Sequence, residues 1–177
     1  MPPRAPRRAL YIGRFQPFHR GHLKVVESVA KEFDAVLVGI GSAQESHTLE
    51  NPFTAGERHL MIQKSLDAAG IRNYFVIPIP DVGRNALWVS HVSALVPPFN
   101  VFVSNNALPR RLFQEAGFQV RGAPFFEREK FRATHIRELM LAGHGWQDLV
   151  PKETIEVVEE VHGIERMRDL AQKDEEV

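Results

Sequence analysis

Short, almost wholly apolar runs alternate along the chain with segments whose apolar residues recur at every third and fourth position. Residues 9–12 form such a run, β-prone and closed by Gly13, and an aperiodic stretch at 14–21 follows. From His22 onward, Leu23, Val26, Val29, Ala30 and Phe33 trace one face of a helix. Residues 35–40 are apolar throughout, as expected of a strand covered on both faces in a parallel sheet. The alternation repeats. Thr54 and Glu57 have the spacing of a capping box and open a helix through about 69, stopped by Gly70, before a strand at 74–79. A helix is predicted at 87–95, a fourth strand at 101–103 and a helix at 110–116. A fifth strand is predicted at or beside Val120, Phe125 and Phe126. Thr134 is predicted to cap a helix through Leu141, and Pro151 to begin a helical region running to about Leu170.

Repeated βα units of this kind predict an α/β, Rossmann-like, doubly wound parallel sheet of about five strands, with helices on both faces and a helical C-terminal region from about residue 134. The expected organisation is one domain at 9–170, a flexible extension at 1–8 and a charged tail at 171–177. A chain of 177 residues lies within the usual range for one domain.

Composition narrows the chemistry. With no cysteine, thiolate nucleophiles, Cys-ligated zinc and disulfides are all excluded. The 22 basic and 22 acidic residues cancel, unlike a domain whose surface grips long polyphosphate backbones, so no nucleic-acid partner is expected. No run approaches the roughly 18 apolar residues of a membrane helix, and the basic first residues lack an apolar segment behind them, so a cytoplasmic protein without a membrane partner is expected. The basic residues are nonetheless skewed, 16 Arg to 6 Lys, towards the side chain suited to bidentate capture of phosphate or carboxylate.

The aperiodic stretch carries the strongest signal. In an open α/β sheet, ligands bind beyond the carboxyl ends of the strands, and the first strand-to-helix loop favours phosphate. That loop reads Gly-Arg-Phe-Gln-Pro-Phe-His-Arg-Gly-His at 13–22. It holds neither the dinucleotide G-x-G-x-x-G nor a P-loop. It instead places His19 and His22 around Gly21 at a helix start, beside free backbone N–H groups and the positive end of the helix dipole. A zinc reading lacks a third ligand nearby.

H-x-G-H in this setting resembles the signature of the nucleotidyltransferase superfamily, whose members join a nucleoside triphosphate to a phosphate or carboxylate acceptor. The resemblance implies that His19, His22 and Arg137 are catalytic. It also implies an ATP site of Gly13, Arg14, Phe15, Gln16, His19, Gly21, His22, Ser104, Asn106, Thr134 and Arg137. A Ser/Thr turn late in the chain is part of that pattern, and Thr134 as N-cap with Arg137 in the first turn fills it, although Arg132 and Ala133 replace the usual small or Ser residues. Segments 42–47 and 51–58 and Asn85-Ala86-Leu87-Trp88 make the likeness narrower. Over about 10–170 the chain resembles the archaeal type of nicotinamide-nucleotide adenylyltransferase. That family makes NAD from nicotinamide mononucleotide and ATP with Mg²⁺, and many members are homo-oligomers, hexamers among them.

For that acceptor, Trp88 supplies an aromatic face for a cationic pyridinium, and Asp81 and Asn85 supply polar contacts. Taken alone, these residues leave open a core Trp and a turn-forming Asn. Asn105 stands where the family has the glycine of Ser-Gly-Asn. Asn tolerates positive φ, which would let the loop keep its shape. Arg110 and Arg111 are expected on an exposed helix face. The competing readings are adenylyl transfer to phosphopantetheine or flavin mononucleotide, and a nucleotide sensor without turnover.

Overall fold

The computed structural model describes residues 4–124, 127 and 129–173. β1 (Arg8–Gly13) leads through α1 (Arg20–Ala30) to β2 (Ala35–Ile40), and α2 (Ala55–Ala68) leads on to β3 (Tyr74–Pro78). The chain then returns through α3 (Asn85–Leu95) to β4 (Val101–Val103), and α4 (Ala107–Glu115) carries it to β5 (Gln119–Arg121). Next come α5 (Ala133–Ala142), a 3-10 turn at Gln147–Leu149, α6 (Lys152–Glu160) and α7 (Gly163–Lys173). All strand pairings are parallel, in the order β3-β2-β1-β4-β5. This is the doubly wound α/β sheet expected, and the strand order reverses between β1 and β4.

The continuous apolar strands resolve into two faces of period two. Ala9, Val36, Val38, Val101 and Val103 join a core with α1, α2 and the C-terminal helices. Leu10, Leu37 and Phe102 point the other way, onto Val92 of α3 and Phe113 of α4. Burial on both faces explains why these strands read as unbroken apolar runs.

The α2 start follows the sequence closely: Thr54 Oγ1 accepts from the Glu57 amide, and the Glu57 carboxylate accepts from the Thr54 amide. Other boundaries differ. Arg8 already belongs to β1, and just before it Asp34 pairs with the Arg4 guanidinium and accepts the Arg7 amide. Thr134 does not cap α5: the helix begins at Ala133, Arg132 is the extended N-cap and its side chain makes no capping bond, and Thr134 is the second helical residue. Arg137 consequently lies beyond the first turn. The C-terminal helical region is broken between α6 and α7 near His162, whose φ of 53° reverses the chain. This lets α7 fold back so that Arg166 forks onto Glu57 and donates to the Pro52 carbonyl. Phe125, Phe126 and residues 174–177 lie outside the described residues. No helix among the described residues is long and apolar enough to cross a membrane.

Candidate active site

The carboxyl ends of β1 and β4 flank the point where strand order reverses, the usual ligand crevice of such sheets. A cavity of about 590 Å³ opens there. Every residue expected around ATP lines it: the 13–22 loop supplies one wall, Ser104 and Asn106 after β4 another, and Thr134 and Arg137 of α5 a third.

The two histidines cap α1 reciprocally. His19 Nδ1 accepts the His22 amide, and His22 Nδ1 accepts the His19 amide, each at 3.3 Å. The rings stack at 3.4 Å between centroids and 17° between planes. With both Nδ1 atoms accepting, the hydrogen-bond pattern assigns the proton of each neutral ring to Nε2, so each offers one Nε2–H donor. Burial pushes His19 down to about 3. His22, packed against Phe15, Phe18 and His19, is held well below the usual imidazole value by burial and by repulsion from His19. Both rings are therefore neutral donors at neutral pH.

These depressed values fix a pH dependence. Between the folded and unfolded pKa values the unfolded chain binds more protons, so the stabilisation is complete above about 6.5 and is lost as pH falls from there towards the folded value, by at most about 1.4 kcal/mol per pH unit and group. The urea midpoint of the wild type is expected to drop between pH 7 and 5, and that of His19→Gln to drop less. Equal drops would contradict the neutral assignment.

Gly21 must lack a side chain. A Cβ there would lie 2.9 Å from Phe131 Cβ and 3.1 Å from His19 Nδ1, displacing the ring that the turn holds. Phe131, which also stacks at 6.1 Å on His19, lies in a stretch without periodicity, and sequence reasoning missed it. Phe15 and Gln16 reach the cavity as buried residues. The Gln16 amide spans the main chain of Phe53, donating to its carbonyl and accepting its N–H, so its side chain secures the loop and is not turned to a ligand. Arg137 is buried and donates to the Gln16 carbonyl at 2.9 Å. Burial first, and the nearby Arg14 second, lower its pKa, as expected where two cations are held together for an anion. Arg14 is exposed, with Nη1 3.4 Å from Asn51 Oδ1. The uncapped start of α5 brings further N–H groups to the same wall.

After β4, Ser104 is buried and its Oγ accepts the Asn106 amide. Asn105 is not in the positive-φ region, and its amide instead donates to the Ala123 carbonyl, so the missing glycine is not needed. Arg111 is exposed and pairs with Glu115, as expected. Arg110 is not: it folds back and donates to the Ser104 carbonyl at 2.8 Å, bracing the loop.

A second cavity of about 390 Å³ lies beyond β3, where Asp81, Asn85 and Trp88 face Leu108, Pro109 and Leu112 of α4. Asn85 is the first residue of α3, not part of a turn. Trp88 serves both readings of it. One side meets Phe102 and Phe113 edge-on, at 6.5 and 5.4 Å, while the residue also lines the cavity. The β4–α4 segment contributes to both cavities: Ser104, Asn105 and Asn106 line the first, and Leu108, Pro109 and Leu112 of α4 line the second.

A cytidylyltransferase-like family model matches residues 10–139. The nicotinamide-nucleotide adenylyltransferase of Thermoplasma acidophilum is 51% identical over 177 residues, covering 100% of this chain and 99% of that one. That of Thermoplasma volcanium is 52% identical over 170 residues, covering 96% of each. The chain belongs to the cytidylyltransferase-like family, on its nicotinamide-nucleotide adenylyltransferase branch. A bifunctional NMN adenylyltransferase/ADP ribose pyrophosphatase from Francisella tularensis, crystallised with AMP and a manganese ion, has the same fold, with a TM-score of 0.78 at 22% identity. The match covers 97% of this chain and 53% of that one, so this chain spans about half of the bifunctional protein.

Proposed function

We propose that the protein transfers AMP from ATP to nicotinamide mononucleotide, giving NAD and pyrophosphate, with ATP in the β1–β4 cavity and the mononucleotide reaching into the second. The observation that carries this reading is the pair of cavities to which the β4–α4 segment contributes, one lined by neutral imidazoles and arginines, the other by an indole and a carboxylate. An oxygen of the mononucleotide 5′-phosphate attacks the α-phosphorus of ATP. A new P–O bond forms there, the bond to the bridging oxygen of the β-phosphate breaks, and pyrophosphate leaves with that electron pair. A phosphate monoester with a second pKa of about 6 is already ionised, so no protein base is required. The protein positions two anions and stabilises developing charge. His19 and His22 donate Nε2–H to phosphate oxygens, Arg14 and Arg137 neutralise the triphosphate, and the first turn of α5 with Thr134 closes the site around it.

ATP enters as its Mg²⁺ complex. Among the described residues no group of three His, Asp or Glu side chains is placed to hold a metal. The chain works in the cytoplasm as one nucleotidyltransferase unit and, as the resemblance implies, as a homo-oligomer, a hexamer among the options, which sedimentation of the purified protein measures.

Incubating protein and MgATP with nicotinamide mononucleotide, flavin mononucleotide or phosphopantetheine in turn tests the acceptor. Pyrophosphate release with the first is expected, and release with flavin mononucleotide alone would overturn the reading. Trp88→Ala is expected to raise KM for the mononucleotide roughly tenfold, the scale of a desolvated cation–π contact, with KM for ATP unchanged. A parallel loss of both affinities would instead indicate collapse of the Phe102–Phe113 packing.

A further inference from the structure

Arg58 ties the phosphate loop, which lines the first cavity, and the turn after β2, which lines neither, into one unit. Arg58 of α2 donates to the Arg14 carbonyl in the phosphate loop at 2.9 Å and to the Gly41 carbonyl at 3.0 Å. It also reaches the carbonyls of Ser42, Ala43 and Glu45, so one guanidinium holds the turn after β2 against the loop after β1. Gln44 sits at the tip of that turn. Its amide grips Asp81 twice: Nε2 donates to Asp81 Oδ2 at 3.0 Å, and Oε1 accepts the Asp81 amide at 2.9 Å. The Ala43 amide donates to the Ile79 carbonyl beside it. Gln44 lines neither cavity, whereas Asp81 lines the second. A continuous chain of bonds thus runs from the main chain of the phosphate loop to the mouth of the other cavity.

We propose that Gln44 is a positioning residue: on the turn that Arg58 clamps to the phosphate loop, it orients the Asp81 carboxylate and the main chain around it, and so fixes where the acceptor sits relative to the triphosphate. The proposal rests on the reading that the second cavity takes the mononucleotide. In-line attack demands that the two phosphates meet within a narrow geometry, and small misplacements are costly. Gln44 is exposed, so its bonds add little to global stability, and the effect of losing them falls on orientation.

The test uses the full-length protein with Gln44→Ala and with Gln44→Met, which keeps side-chain length without the amide. Both are expected to raise KM for nicotinamide mononucleotide by roughly tenfold, the scale of two modest hydrogen bonds lost, with KM for ATP and Tm unchanged. Hydrogen–deuterium exchange across 79–84 is expected to quicken. In an Asp81→Ala background the same changes should cost less than in the wild type, because the bond to the carboxylate is already gone and only the one from the residue 81 amide remains to be lost. Unchanged exchange and KM, an equal rise in KM for both substrates, or additive losses with Asp81→Ala would each overturn the proposal. Wild-type protein that releases no pyrophosphate with the mononucleotide contradicts the acceptor reading instead, and the exchange measurement still decides whether Gln44 holds the segment.

Discussion

His22→Ala lowers kcat by roughly ten- to a thousandfold, the scale on which removal of one preorganised donor to a developing oxyanion is felt, while KM for ATP changes much less. The expectation follows from the reciprocal cap. Each imidazole spends its Nδ1 on the partner's amide and is left with a single Nε2–H, which a neutral ring provides without deprotonation or rearrangement. Losing His22 also removes half of the α1 cap and one ring of the stack, at about 1 kcal/mol of stability. His22→Gln separates the two effects, because its amide supplies a cap acceptor and a donor. It is expected to restore Tm more fully than kcat. Wild-type kcat in the alanine variant would remove His22 from the catalytic set.

The second large effect is on stability. Arg58→Leu is expected to cost about 3 kcal/mol or more, the scale of disrupting a buried charged hydrogen-bond network, and to lower Tm by at least about 6 °C for a chain of this size. The Arg58 side chain is fully buried, and its guanidinium donates to six main-chain carbonyls, those of Arg14, Gly41, Ser42, Ala43, Glu45 and Thr54. Among the described residues no carboxylate hydrogen-bonds to it, and Glu57 is engaged by Arg166. Burial, with repulsion from Arg14, lowers its pKa to about 10, so it remains a cation at neutral pH. Leucine leaves those carbonyls to water or to nothing. Arg58→Lys keeps the charge but offers three donors from a point in place of a planar fork, and is expected to recover only part of the loss. A lysine variant with wild-type Tm, measured by thermal unfolding at pH 7, would contradict this account.

Arg58 also shows where sequence reasoning stops. Five of its six acceptors come from the loops after β1 and β2, distant in the chain, and no local pattern announces that they converge. The same holds for Gln44 and Phe131, which gain their roles only when the loops after β1, β2 and β3, or the segment before α5, are folded together. The H-x-G-H turn was legible because its chemistry is local: a histidine on either side of a glycine at a helix start is nearly the whole arrangement. The strands were legible too, since burial on both faces leaves a continuous apolar run. Thr134 misled for a physical reason. Capping rules look for a side-chain oxygen at the first turn, and α5 starts at Ala133 without one, leaving its first N–H groups towards a cavity suited to anions. Arg110 misled likewise, because an arginine on a short amphipathic helix reads as exposed unless the loop it braces is in view.

The neutral overall charge takes on a different meaning in this light. Positive charge is gathered where the phosphates of a small substrate would lie, at Arg14 and Arg137, and cancelled elsewhere on the surface. The central claim is that the two cavities divide the two halves of the reaction. A crystal structure of the protein with bound NAD tests it most directly. The account predicts the pyrophosphate bridge beside His19 and His22 and the nicotinamide ring on Trp88, near Asp81. A nicotinamide placed away from Trp88, or phosphates beyond hydrogen-bond reach of both histidines, would contradict it.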